Sequence, residues 1–372
     1  MSPLIERFVA NIFFKLLGAR KALTKSALSQ LALTGLSKKD ILKVSGAIRS
    51  VKEWRRVWEE TARKSLEKAA DPRTTLEESR ALYRRAAACF YTAQVFLDFN
   101  APISMKLIEW ARDAFEQYAS TLGDQFEAHT ISSAGHEVQV HLFHPHTAAP
   151  PPLIIMAPSL GSSKEHIHFM VEPFFHAGVA CLTVDLPGVG RTKGAMPLDA
   201  QKIFQGIIDW LLTRDDWDHD RLAMMGMSLG AYWTMKTAAV DSRVKAAMGI
   251  STPAISGKHW DEVPAHYWDY FARVFATHDL RSTRRVAQQL SLFGVMDRIQ
   301  CPILMFHGGR DRVCQPDAMD LFYSETCNAP LTVQIYPELG HCCLEKIIDD
   351  VMPRSVSWFN ERFRGGRRCQ ST

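Results

Sequence analysis

The chain has 372 residues, 47% of them hydrophobic and 23% charged, with a net charge of +4. These values describe a globular protein with enough apolar mass for one large core and a second unit, and they exclude a disordered or fibrous chain. The weak charge, with no dense Lys/Arg block interleaved with aromatics, argues against nucleic acid as a partner.

The charge is uneven. Residues 1–125 hold 21 Lys/Arg against 14 Asp/Glu, a balance of +7, so the remainder carries −3. Such a basic region reads as solvated helix faces or as a surface for an acidic partner. The eight cysteines include no C-x-x-C pair and no zinc-finger spacing, which suits a reducing, cytoplasmic compartment. The apolar stretch at Phe8, Val9, Ile12, Phe13, Phe14, Leu16 and Leu17 is interrupted by Lys15 and is too short to span a bilayer. It reads as an amphipathic helix, with no stable membrane insertion expected.

Residues 1–125 are expected to form an all-helical N-terminal cap domain. In 52–69, Trp54, Trp58, Ala62 and Leu66 recur every fourth residue, and Glu59 and Arg63 form an i,i+4 pair. The next helix opens on a capping-box signal, Thr74 with Glu77 or Thr75 with Glu78, and a third spans about 104–121.

Residues 126–372 are expected to form an α/β catalytic domain. Runs 126–131 and 137–144 read as strands around a hairpin-like turn. Apolar strands at 153–157, 179–184, 222–225, 244–250, 303–307 and 331–336 then alternate with helices near 164–177, 198–212, 229–240 and 316–324, and a long helix over 344–363 closes the chain. Continuous apolar strands alternating with helices predict a mostly parallel, doubly wound sheet. Residues 252–300 are too long for a simple crossover and rich in aromatics, so they read as a helical lid insertion.

Gly226-Met227-Ser228-Leu229-Gly230 is a G-x-S-x-G sequence between a predicted strand and a predicted helix, the setting a nucleophile elbow needs. A serine hydroxyl requires a base, and His341, after the last strand, is the histidine placed to serve. The acid falls between them in chain order: Asp311 follows the strand at 303–307, with Asp317 as the alternative. Oxyanion N–H donors are expected from Leu229 and from Leu160 or Gly161, in the loop after residue 157. Trp260, Asp261, Glu262 and Trp268 in the lid are candidate substrate contacts. His166 and His168 read as partly exposed, Lys164 and Glu165 as a local pair, and the run from Asp185 to Gly190 as a strand exit below the site. No metal spacing and no dinucleotide fingerprint is found, so no cofactor is expected.

Together, the elbow and the triad order resemble the α/β-hydrolase superfamily over about residues 126–365. The helical first unit and the loop Leu160-Gly161-Ser162-Ser163-Lys164-Glu165 add a narrower resemblance to the FrsA-like esterases and the 2,6-dihydroxypseudooxynicotine hydrolases. That resemblance implies a serine hydrolase, a helical unit capping the site, a homodimer and a partly apolar small-molecule substrate. It implies hydrolysis of a carboxylic ester or an activated ketone. The alternatives are carbon–carbon bond hydrolysis or acyl transfer and cyclisation on a polyketide- or diketone-like substrate. A non-catalytic binding or regulatory protein that retains the fold is the reading from another class, and it predicts function surviving Ser228→Ala.

Overall fold

The computed structural model describes residues 12–97, 101–254 and 260–365; Phe8, Val9, part of the lid segment and Cys369 lie outside them. The chain divides into two compact units, Met1–Phe126 and Glu127–Thr372.

Three long helices dominate the first unit: α1 (Val51–Ala69), α2 (Leu76–Gln94) and α3 (Pro102–Ser120). Their starts follow local chemistry. The Ser50 side chain accepts the Glu53 N–H, Thr75 and Glu78 form the capping box, and Pro102 occupies the first turn of α3. Trp54, Trp58 and Ala62 of α1 are fully buried, and the Trp54 indole N–H donates to the Thr92 carbonyl of α2 at 2.8 Å. Ser65, rather than Leu66, continues the buried stripe, because a helix turns slightly more than a full circle in four residues.

The second unit is built on one eight-stranded sheet: β1 (Phe126–Ser133), β2 (His136–Phe143), β3 (Leu153–Ala157), β4 (Ala180–Val184), β5 (Leu222–Met227), β6 (Ala246–Ile250), β7 (Ile303–Gly308) and β8 (Leu331–Tyr336). The spatial order is β1-β2-β4-β3-β5-β6-β7-β8. β2 runs antiparallel to β4, and every pair from β4 to β8 is parallel. Strands β3 to β7 are buried along their whole length, as a sheet covered on both faces requires. The connecting helices are α4 (His168–His176), α5 (Gln201–Leu211), α6 (Leu229–Ala238), α7 (Ala265–Val274), α8 (Leu280–Gln289), α9 (Ala318–Glu325) and α10 (Met352–Gly365). This is an α/β-hydrolase fold, with α7 and α8 forming the insertion between β6 and β7. Among the described residues, no helix is long and apolar enough to cross a membrane.

Four expectations need correcting. The closing helix starts at Met352, since Cys342 and Cys343 take left-handed backbone conformations and Ile347–Val351 is a π-turn. Helix α4 starts at His168, because the preceding residues are held by buried ionic contacts described below. His168 is 7% exposed, with its ring 5.2 Å from Phe143 of β2. The exit at Asp185 lies at the same sheet edge as Ser228, because β4 is parallel to β3 and β3 to β5.

Two glycines let the chain reverse at that edge. A Cβ at Gly226 would overlap the backbone of Gly230, and a Cβ at Gly230 would overlap the carbonyls of Ala157 and Pro158. Gly226→Ala is therefore expected to cost at least about 1–3 kcal/mol through overpacking. Urea unfolding would measure it, and a variant as stable as the wild type would mean the turn has room for a side chain.

Candidate active site

β5 ends at Met227, α6 begins at Leu229, and Ser228 between them takes φ 54° and ψ −120°. That strained conformation costs on the order of 1–3 kcal/mol. It is held by the Ser228 N–H, which donates to the Ile250 carbonyl at 2.8 Å, and by the glycine contacts on either side. Leu229 is the first residue of α6, so its N–H lies in the turn where helical donors have no intrahelical partner.

His341 follows Gly340 in the loop after β8. Gly308 and Gly309, at the end of β7, lie so close to Pro337, Leu339 and Gly340 that a Cβ on either would overlap their backbone. The Arg310 N–H donates to the Leu339 carbonyl at 2.8 Å, locking the two loops together. The His341 ring then spans the gap: Nδ1 lies 2.8 Å from Asp311 Oδ2 and Nε2 lies 3.1 Å from Ser228 Oγ. The other Asp311 oxygen accepts the N–H groups of Val313 and Cys314, both at 2.8 Å, which fixes the carboxylate's orientation. Asp311 thus turns the chain toward α9 and also meets the histidine, whereas Asp317 heads α9 itself. Past His341, the Cys342 N–H donates to Ser251 Oγ at 2.8 Å. Ser228, Ser251, Cys342 and Cys343 all have positive φ, a concentration of backbone strain around one imidazole.

Burial raises the Asp311 carboxyl, but the His341 ring and the Cys314 N–H outweigh it and hold its pKa below the usual range. Burial works against a charged His341, while Cys342, Asp311 and Cys314 act the other way, and its pKa stands well above 6.5. Burial pushes the Cys314 thiol up to about 11, so near neutral pH that thiol keeps its proton. A hydroxyl, an imidazole and an oriented carboxylate in this chain of contacts have the geometry for nucleophilic acyl transfer.

The loop after β3 carries the other oxyanion candidates. Leu160 is half-buried against the core, and Gly161 is exposed beside the Tyr270 ring of α7. The Ser159 and Ser162 hydroxyls bond at 2.7 Å. Next to them lies an ionic cluster, of which the sequence alone suggests only a local pair of Lys164 and Glu165. Lys164 Nζ contacts Glu165 at 2.6 Å and Asp185 at 2.9 Å, with Lys164 only 3% exposed. Asp185 also accepts the N–H groups of Lys164 and Arg191, and Glu165 accepts the Ser163 hydroxyl. One cation serves two buried carboxylates. Burial and repulsion from Glu165 raise Asp185, while on Glu165 the Lys164 charge outweighs burial and lowers it. The missing signal in the sequence was the distance of 21 residues between Lys164 and Asp185.

Of the lid candidates, Trp260 and Trp268 stack on each other with ring centroids 3.6 Å apart and are largely buried. Asp261 and Glu262 are exposed, with Asp261 3.9 Å from Arg284 and Glu262 3.1 Å from Gln315. Among the described lid residues, Tyr267, not singled out from the sequence, reaches His341: the two rings meet edge-on, 5.8 Å between centroids. Nothing in the aromatic spacing distinguishes it from its neighbours. Among the described residues, two groups have donor sets that could hold a cation: Asp311, Cys314 and His341, and Glu127, His144 and Asp216. In the second, Arg214 already occupies both carboxylates.

Three outcomes are expected. If His341 must be neutral to act, activity rises with pH through its raised pKa, so the acid limb of kcat/KM lies above pH 6.5. Asp311→Asn should lower activity by about 10⁴ and move that limb to lower pH, since the ring loses a carboxylate that favours its charged form. Lys164→Met, which strands two buried carboxylates, should cost about 3–5 kcal/mol in urea unfolding.

Comparison with known proteins agrees with this architecture. The chain is similar to 2,6-dihydropseudooxynicotine hydrolase of Paenarthrobacter nicotinovorans, 27% identical over 237 residues, covering 62% of this chain and 63% of that protein. It is similar to esterase FrsA of Klebsiella pneumoniae subsp. pneumoniae, 24% identical over 268 residues, covering 68% and 63% respectively. The match thus spans a little under two thirds of the length of these curated relatives. The crystal structure of 2,6-dihydroxy-pseudo-oxynicotine hydrolase shares the fold at a TM-score of 0.82 and 23% identity, over 91% of this chain and 96% of that one. Wild-type AbyA5 does so at 0.69 and 17%, over 91% and 98%. The model of the family described as esterase FrsA-like matches residues 35–329, and the chain belongs to that family, within the α/β-hydrolase superfamily.

Proposed function

We propose that this protein is a serine hydrolase that cleaves a carbon–carbon bond beside an activated ketone. Ser228 is the nucleophile, His341 the base and Asp311 the residue that orients it. The observation that carries this reading is the unbroken run of hydrogen bonds from Ser228 Oγ through His341 to a buried Asp311. No packing requirement calls for these three groups in one line.

In the reaction, Ser228 Oγ attacks the carbonyl as its proton passes to His341 Nε2, and the imidazolium is stabilised by Asp311. The developing oxyanion takes the N–H of Leu229 and a second donor from the loop after β3, Leu160 or Gly161. Collapse of the tetrahedral adduct expels the carbon leaving group, which collects the proton from His341. Water then hydrolyses the acyl-enzyme by the same steps in reverse. A carbanion leaves only if an adjacent carbonyl or electron-poor ring delocalises it, so the substrate class is a β-diketone-like or aryl ketone compound. The similarity to 2,6-dihydropseudooxynicotine hydrolase, in sequence and in fold, supports this over simple esters. Tyr267, edge-on to His341, supports an aromatic or apolar substrate lying beside the base.

Carboxylic ester hydrolysis is the second reading, favoured by the FrsA-like family match. The two separate by assay with β-diketones and p-nitrophenyl esters of graded chain length. Diketone cleavage is expected to exceed ester turnover in kcat/KM, and the reverse order would select the ester reading. Ser228→Ala should lower turnover on the order of 10⁴–10⁶ for either substrate. Full activity in that variant would remove Ser228 from the mechanism.

A further inference from the structure

The triad has a neighbour that acyl transfer does not need. Cys314, three residues after Asp311, is buried and carries its thiol beside the His341 ring. One donor atom each from Asp311, Cys314 and His341 lie within 4.8 Å of one another. The set is a carboxylate oxygen, a sulfur and an imidazole nitrogen, the mixed donors that a thiophilic divalent cation prefers. With metal–sulfur bonds of about 2.3 Å and metal–nitrogen bonds of about 2.0–2.1 Å, a tetrahedral ion holds its donors roughly 3.5 Å apart. From within 4.8 Å of one another, no pair of donors needs to close by more than about 1.3 Å. All three stand on the two loops that Gly308, Gly309 and the Arg310–Leu339 hydrogen bond hold together, so the set is already assembled.

We propose that Asp311, Cys314 and His341 form an inhibitory site for a thiophilic divalent cation such as Zn²⁺ or Cd²⁺. The inhibitory part rests on the reading of His341 as the base. On binding, the Cys314 thiol loses its proton to solvent and sulfur bonds to the metal. His341 contributes one nitrogen lone pair and Asp311 one oxygen; one proton is released per ion where the ring is neutral, and the ring gives up a second where it is charged. Either ring nitrogen gives the same result. If the nitrogen facing Asp311 binds, its proton moves to the other nitrogen, which then cannot accept the proton of Ser228. If the nitrogen facing Ser228 binds, the base is blocked directly. Three protein donors leave a fourth position for water, so the ion is removable by a chelator.

Two readouts on the full-length protein test this. The first needs no substrate: Cd²⁺ is titrated while the thiolate-to-metal charge-transfer absorption is followed. Wild type should show the band at one ion per chain, and Ser228→Ala should show it too. Cys314→Val, close in volume and without a donor, should lose the band and weaken binding by about tenfold or more. Cys314→Ser serves if the valine variant fails to fold, and Cys342→Ala and Cys343→Ala should keep the band. The second readout is hydrolysis: Zn²⁺ should inhibit wild type, EDTA should restore it, and the Cys314 variants should keep their own metal-free rate when Zn²⁺ is added. No band in wild type, or the same Zn²⁺ sensitivity in wild type and the Cys314 variants, overturns the proposal. So does loss of the band in a Cys342 or Cys343 variant alone. If wild type shows the band but hydrolyses nothing, the metal site stands and the hydrolase reading falls.

Discussion

Everything at the site depends on backbone approaching backbone more closely than side chains allow. At the end of β5 the chain turns through Ser228 because Gly226 and Gly230 carry no Cβ, and the same absence lets α6 abut the carbonyls that end β3. At the end of β7, Gly308 and Gly309 let the loop that carries Asp311 close on the loop that carries His341. These four glycines set the distances of 3.1 Å and 2.8 Å that join serine, histidine and aspartate. A parallel sheet supplies the rest, since parallel strands deliver their exits to one edge.

The strain this creates is concentrated where chemistry is proposed. Ser228, Ser251, Cys342 and Cys343 are non-glycine residues at positive φ, and hydrogen bonds tie them together: Ser228 to the end of β6, Cys342 to Ser251 and Ser251 to the end of β7. Such conformations persist only where the surroundings over-determine them. The buried cluster of Lys164, Glu165 and Asp185 plays the matching part on the other side of the elbow. It fixes the start of the segment after the β3 loop to the exit of β4 by a charge contact and the Lys164 N–H, while the Arg191 N–H folds the β4 exit onto the same carboxylate. Removing the cation would be costly because a buried carboxylate without a partner is far more expensive than the pair.

Charge near His341 is balanced between opposing effects. Burial disfavours a charged His341 ring, and Cys342, Asp311 and Cys314 together outweigh it. The same arrangement, a deep anionic group, an imidazole and a thiol at close range, is the donor set on which the proposed cation site rests. A site tuned to hold a proton between serine and carboxylate is chemically near to one that holds a metal there.

The sequence by itself determined the fold class and the order of the chemical groups. Continuous apolar strands alternating with helices specified a parallel sheet. G-x-S-x-G between strand and helix, a late aspartate and a final histidine specified the candidate nucleophile, acid and base, because those signals are local or follow chain order. The Thr75 cap was legible for the same reason: its partner lies three residues away. What only the tertiary structure decided involves partners distant in the chain. Lys164 finds Asp185 across 21 residues, Tyr267 finds His341 from a lid whose aromatics look alike in sequence, and Cys314 becomes a neighbour of His341 only when two loops close. The starts of α4 and α10 were misread because ionic contacts and left-handed cysteines, set by those distant partners, override the local helical pattern. Local chemistry is written along the chain, whereas burial and charge pairing are written between segments that periodicity does not relate.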